Sequence, residues 1–245
     1  MRNIYAVFLK QFMSLIKNPG MIVQALIFLG LVLVMSFLIG AEDDKNCYDC
    51  IPAYVCTVCL ENDTDTPNPS LTGLFTIMFV GLAMVGSASA LVLEDKTTVN
   101  LRFMAMANVK PKQYLLGTGI SLLIISFVLL VLFSIVGRYF GMQMLLFLAV
   151  TTVGAVVSIL LGITVGLSKA PYITAPLSII LGMGPMLSNF NDTLAHILRF
   201  TYTQQINLAI SDLDADLTTN FVIIAANGVA ILLLFLWMRR KGTLD

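Results

Sequence analysis

The chain has 245 residues, of which 58% are hydrophobic and 11% charged, and its formal net charge is zero. A soluble globular domain carries about twice that charged fraction. Apolar runs of about 20 residues are long enough to cross a hydrocarbon core of roughly 30 Å, and the short alternating segments of an outer-membrane barrel are missing. The composition therefore predicts an all-α integral membrane protein forming a single transmembrane domain, residues 1–245, with no nucleic-acid partner expected.

In chain order, residues 1–19 come first. Between Asn3 and Lys17, Ile4, Tyr5, Phe8, Leu9, Phe12, Leu15 and Ile16 share an apolar face, and Asn3, Lys10, Ser14 and Lys17 the opposite stripe. That pattern predicts an amphipathic helix in the membrane interface, ended by Asn18-Pro19-Gly20. Six spans follow: Met21–Gly40, Leu71–Leu93, Tyr114–Val136, Gln143–Leu167, Pro171–Asn189 and Asn220–Met238. None contains Asp, Glu, Lys or Arg. The first is too long for a signal-peptide core and lacks a convincing cleavage site, so no removal is expected.

Six spans place both termini on one side. With cytoplasmic termini, 11 of the Lys and Arg residues lie inside and only Lys45, Arg138 and Arg199 outside. The positive-inside rule thus predicts a multi-pass protein of the plasma (inner) membrane with both ends cytoplasmic. Glu94, Asp95 and Asp245 are the inside acids.

The loop 41–70 is then extracellular and carries Cys47, Cys50, Cys56 and Cys59 as paired C-x-x-C. The compartment permits two disulfides, four thiolates also suit a structural zinc, and a redox-active pair is a third reading. Spacing does not fix connectivity. Asn62 and Asn191 begin Asn-x-Thr sequons that matter only in a eukaryotic secretory host. Span two is rich in small residues (Gly81, Ala83, Gly86, Ser87, Ala88, Ser89, Ala90), and span four holds Gly154, Gly162 and Gly166. Such residues allow close helix approach, inside the bundle first and at a dimer face second. GRYFGM predicts a tight outside connection between spans three and four. Pro171, Pro176, Gly182, Gly184 and Pro185 predict a kinked or broken fifth span, a pointer to a moving or substrate-facing element. Residues 190–219 are too polar to span, with Asp192, Arg199, Gln204, Gln205, Asp212, Asp214 and Asp216, and read as short amphipathic helices dipping into the outer interface before span six.

The chemistry-bearing motifs are few. There is no GxxxxGK[ST], HExxH or GxSxG, so the chain has no nucleotide cradle of its own. His196, the single histidine, reads as a surface polar residue rather than a metal ligand. The absence of ionisable groups from the spans argues against ion-coupled transport.

What remains is the stretch 94–113, EDKTTVNLRFMAMANVKPKQ, between spans two and three. With the following YLLG it resembles the cytoplasmic loop of permease subunits of type-2 ABC exporters, at Glu94, Lys96, Arg102, Met104, Ala107, Val109, Lys110, Tyr114, Leu116 and Gly117. It departs from the family at Thr97-Thr98, Asn108 and Thr118, where the family has Gly-Thr, Pro and Lys. At the level of layout the resemblance covers the whole chain, with an amphipathic N-terminal helix, six spans and an outside re-entrant helical pair before span six. It implies a coupling helix docking into a separate ATPase subunit that binds ATP and Mg, with this chain itself no enzyme. Glu94, Lys96, Val99, Arg102, Phe103, Met106 and Lys110 are then the coupling residues, Val99, Phe103 and Met106 forming an apolar stripe at i, i+4 and i+7. It further implies a second permease copy, identical or homologous, and an uncharged substrate path along spans one, two and five, for which Gln24, Ser87, Pro176 and Pro185 are the candidates. That wall favours an amphipathic or hydrophobic cargo: a peptide, drug or lipid. A solvated basic loop with no docking role is the plain alternative for 94–113. The rival functions are a membrane thiol-disulfide oxidoreductase using the C-x-x-C pairs, and a non-transporting structural or immunity protein.

Overall fold

The computed structural model describes residues 2–17, 20–40, 69–98, 106, 111–168, 171–188, 196–211 and 217–240. Among them the regular structure is entirely helical. The elements are α1 (Arg2–Lys17), α2 (Gly20–Gly40), α3 (Pro69–Met78), a π-helical turn (Phe79–Met84), α4 (Val85–Thr97), α5 (Pro111–Val136), α6 (Met142–Leu167), a 3-10 turn (Pro171–Ile173), α7 (Thr174–Ser188), α8 (Tyr202–Ser211) and α9 (Leu217–Arg240). The four cysteines, both sequons, and Val99, Arg102, Phe103 and Lys110 lie outside the described residues.

Four helical stretches are long and apolar enough to cross a membrane: Thr72–Thr97, Gln113–Val136, Met142–Leu167 and Thr219–Trp237. Two apolar helices are shorter over their described side chains, Ile22–Val34 and Thr174–Ser188. The first long stretch is the hub: 67% of its most apolar window is buried inside the protein, against 17% for Thr219–Trp237, which mostly faces outward. Leu233, Leu234 and Trp237 on that last helix are accordingly exposed.

The small residues set the packing. A Cβ on Gly162 would lie 2.6 Å from the Val85 carbonyl oxygen, and one on Gly166 3.0 Å from that of Ser89. α6 and α4 therefore meet nearly backbone to backbone, as small-residue spacing allows. The same closeness holds between the π turn and α7, where a Cβ on Gly81 would lie 2.8 Å from both the nitrogen and Cα of Gly182. The internal-packing role expected of these glycines is what the structure shows.

One local expectation, a kinked or broken fifth span, changes in part. The fifth-span segment is not broken among its described residues. It starts with the 3-10 turn, and α7 then runs through Pro185 as one helix. Pro176 falls in the first turn of α7, where no intrahelical N–H bond is lost. A π turn interrupts span two, and its Phe79, Val80, Gly81, Ala83 and Met84 are all buried. Isolated π turns of this kind mark functional sites in many helices.

At one end of the bundle the chain turns from α5 to α6 through Gly137–Gly141. Arg138 (φ 53°) and Gly141 (φ 62°) both take left-handed backbone there. The turn is clamped by Tyr139, which is buried and stacks on Phe147 at 4.5 Å. Burial pushes the Tyr139 phenol above its ordinary range, so it stays uncharged.

Candidate functional site

At the opposite end lies a buried carboxylate. Asp95, in the last turn of α4, is 4% exposed. It accepts from the Lys10 ammonium at 2.6 Å, from the Gln11 amide and from the Tyr114 hydroxyl at 2.9 Å. Its partners thus come from α1 and from the first turns of α5. A buried charge is tolerable only when paired and hydrogen-bonded, and this one has a cation and two neutral donors on its two oxygens.

The backbone makes that convergence possible. Val7, Gln11 and Leu15, spaced i, i+4, i+8, form the buried edge of α1. Val7 fits against Gly117, where a Cβ would come within 2.7 Å of its Cγ1. Gly117 and Tyr114 are three residues apart on α5, so one face of that helix supplies both a flat seat and a hydroxyl. Tyr5, Leu9 and Met13 stay exposed. The apolar face assigned from periodicity is therefore only partly the packed one. Lys10, placed on the polar stripe, turns toward the bundle because Asp95 attracts it.

Lys96, the next residue, reaches the other way. Its ammonium donates to the backbone carbonyls of Ser168 at 3.0 Å and Leu167 at 3.4 Å. It thereby caps the end of α6, where carbonyls lack intrahelical partners and a positive charge is favoured. The Thr97 and Thr98 hydroxyls close the end of α4 on the Glu94 carbonyl oxygen, at 3.0 and 2.6 Å. Glu94, Asp95, Lys96 and Thr97 are thus helical, and the connection between α4 and α5 is shorter than the stretch 94–113. Its two stems are pinned together by the Asp95–Tyr114 hydrogen bond.

Of the coupling residues, Glu94 and Lys96 lie at this site. Met106 is 73% exposed. Of the path residues, Gln24 and Ser87 line one cleft of about 520 Å³, with Ser14, Gly86, Ala90 and Glu94. Pro176 is exposed on α7 and Pro185 is buried; neither lines that cleft. Among the described residues no group of three or more His, Cys, Asp or Glu has the arrangement of a metal site.

A second polar constellation joins α6, α7, α8 and α9. The Tyr202 hydroxyl shares a 2.8 Å hydrogen bond with Ser158. Ser188 donates to Gln204 at 3.3 Å, and Asn227 donates to the Phe200 carbonyl at 2.9 Å. The Gln205 amide donates to the Arg199 carbonyl. The segment expected to dip in from the outer side packs among the helices: Tyr202, Thr203, Gln204, Gln205, Ile206, Ala209 and Ile210 of α8 are all buried. Its Tyr202 and Gln204 bond to α6 and α7, its Gln205 donates to the Arg199 carbonyl, and Asn227 of α9 satisfies the Phe200 carbonyl, as non-helical backbone within a membrane requires.

Sequence reasoning missed Asp95, Gln11 and this inner polar set. The available signals were an acid at the end of an uncharged span and a glutamine on an apolar helix. The chain matches no protein-family model, no curated protein and no solved structure.

Proposed function

We propose that this chain is the membrane-spanning permease subunit of an ATP-driven ABC exporter. ATP and Mg would be bound by a separate ATPase subunit, and a second permease copy, identical or homologous, would complete the transmembrane unit. In this reading α2 and α7 are the first and fifth of six spans, both termini are cytoplasmic and the membrane is the plasma (inner) membrane. α8 belongs to a re-entrant segment on the outside before the sixth span. The cargo is amphipathic or hydrophobic.

The observation that carries the proposal is the Asp95 cluster. It ties α1 to both stems of the 99–110 connection, through Lys10, Gln11 and Tyr114. A subunit pushing on that connection moves α1, α4 and α5 together rather than bending a loose loop. Lys96 extends the same linkage to the end of α6. From there the close contacts of α4 with α6, and of the π turn with α7, carry the displacement to mid-membrane. Contiguous packed contacts of this kind give a displacement a route through the helices.

The test is a gentle-detergent pull-down of the tagged chain from its native membrane with mass spectrometry of the co-purifying proteins. A stoichiometric ATPase with a phosphate-binding loop is expected, and Arg102→Glu or Phe103→Ala should release it. A preparation free of any such ATPase, under conditions that keep a known exporter intact, would sink the reading.

A further inference from the structure

The turn before α8 places a cation at an unusual depth. The Phe200 carbonyl accepts from Asn227. Asn227 is the eleventh of the 24 residues of α9, roughly 15 Å along that helix at about 1.5 Å per residue. Independently, Tyr202 meets Ser158, sixteen residues past Met142 and nine before Leu167 on α6. Both helices put the turn 199–201 near the middle of the membrane-crossing length.

Arg199 sits in that turn, on the outer surface of the bundle, beside Phe200, which is 72% exposed, and Ile197, 65% exposed. The carbonyls of the turn are satisfied by other groups. Leu198 accepts from the Thr201 N–H and hydroxyl, Arg199 from Gln205 and Phe200 from Asn227. The guanidinium is therefore not needed to hold the turn together. Facing hydrocarbon at this depth, an exposed arginine is strongly unfavourable; ionisable residues at mid-membrane face water-filled cavities or partners. Its five donors match a carboxylate or a phosphate in two-pronged geometry, and the adjacent ring offers an apolar surface.

We propose that Arg199 and Phe200 line a water-filled pathway and bind an amphiphile with an anionic head, guanidinium to anion and ring to the apolar part. This deepens the exporter reading by naming a cargo chemistry and rests on it for the word cargo. The binding itself requires no ATPase, so its failure would leave the coupling proposal standing.

The test uses the full chain in nanodiscs of phosphatidylcholine, with 4-cyanophenylalanine placed at Phe200 and, as a lipid-facing control, at Phe127. The nitrile stretch lies higher in water than in hydrocarbon. We expect a water-type frequency at 200 and a hydrocarbon-type frequency at 127. Dodecyl phosphate should shift the band at 200 saturably and dodecylammonium should not. Arg199→Gln should weaken the phosphate response at least tenfold, read as the change from each variant's own unliganded band, and Arg199→Lys should retain part of it. If phosphatidylglycerol in the disc produces the shift unaided, the anion is a lipid headgroup; if only added dodecyl phosphate does, the ligand is soluble. A hydrocarbon-type frequency at 200, from lipid or from a second copy packed on the turn, would overturn the proposal. So would a dodecyl phosphate response that survives Arg199→Gln intact.

Discussion

Asp95 concentrates more structural consequence than any other described side chain. Its contacts with Lys10 and Gln11 join residues 85 and 84 positions apart. The partners differ in charge and exposure, and that sets the order of effects. Tyr114 is buried, so Tyr114→Phe removes a hydrogen bond to a charged acceptor, a loss of about 1.5–3 kcal/mol. The Lys10 side chain is 40% exposed, but Lys10→Gln leaves the Asp95 carboxylate, 6% exposed, buried without its cation and should cost at least as much, about 3 kcal/mol. Asp95→Ala removes the common acceptor and should exceed both. Denaturant unfolding gives the ranking. Hydrogen exchange of residues 2–17 gives the location: α1 amides should lose protection in Asp95→Ala while the middle of α6 keeps it. Unchanged exchange in α1 would show that its apolar seat on Gly117 holds it without the carboxylate.

Elements meet here through glycine, but not every glycine is a contact. Gly81 and Gly86 lie five residues apart in the same span, and composition counts both simply as small residues. A Cβ on Gly81 would strike the Gly182 backbone at 2.8 Å, and backbone has no rotamer with which to yield. A Cβ on Gly86 meets nothing within 4 Å, because that residue faces the cleft shared with Gln24 and Ser87. Opposite signs follow. Gly81→Ala should destabilise by about 1–3 kcal/mol or more through overpacking. Gly86→Ala should be neutral or stabilising by up to about 1 kcal/mol, since a helical glycine gives up more chain entropy on folding than alanine. Thermal unfolding of the two purified variants separates them, and a matched loss in both would refute the crossing point at Gly182.

For the whole molecule, the topology is the most consequential expectation. The basic residues cluster toward the end that holds Asp95 and Lys96, and that end should be cytoplasmic. Alkaline phosphatase inserted within residues 41–68 should be active, and a fluorescent protein fused after residue 245 should fluoresce. Activity from a phosphatase placed in 99–110 instead would invert the orientation, and with it the side from which an ATPase would act.

Hydrophobicity and charge act locally along the chain, which is why the membrane class, the helical content and the stretches Thr72–Thr97, Gln113–Val136, Met142–Leu167 and Thr219–Trp237 were legible within a few residues. Small-residue spacing likewise foretold close packing, though not which glycine would meet which backbone. Asp95 was passed over in favour of its neighbours Glu94 and Lys96, because nothing in a linear pattern pairs it with Lys10, Gln11 or Tyr114. The re-entrant segment was foreseen, but the partners of α8 were hidden for a related reason. Gln204 and Gln205 help make the segment too polar to span, and nothing in the linear pattern shows that Ser158, Ser188 and Asn227 arrive from three other helices to bond to it. Local solvation preferences decide what can enter the membrane; which polar groups meet there depends on contacts that only the folded chain brings within hydrogen-bonding range.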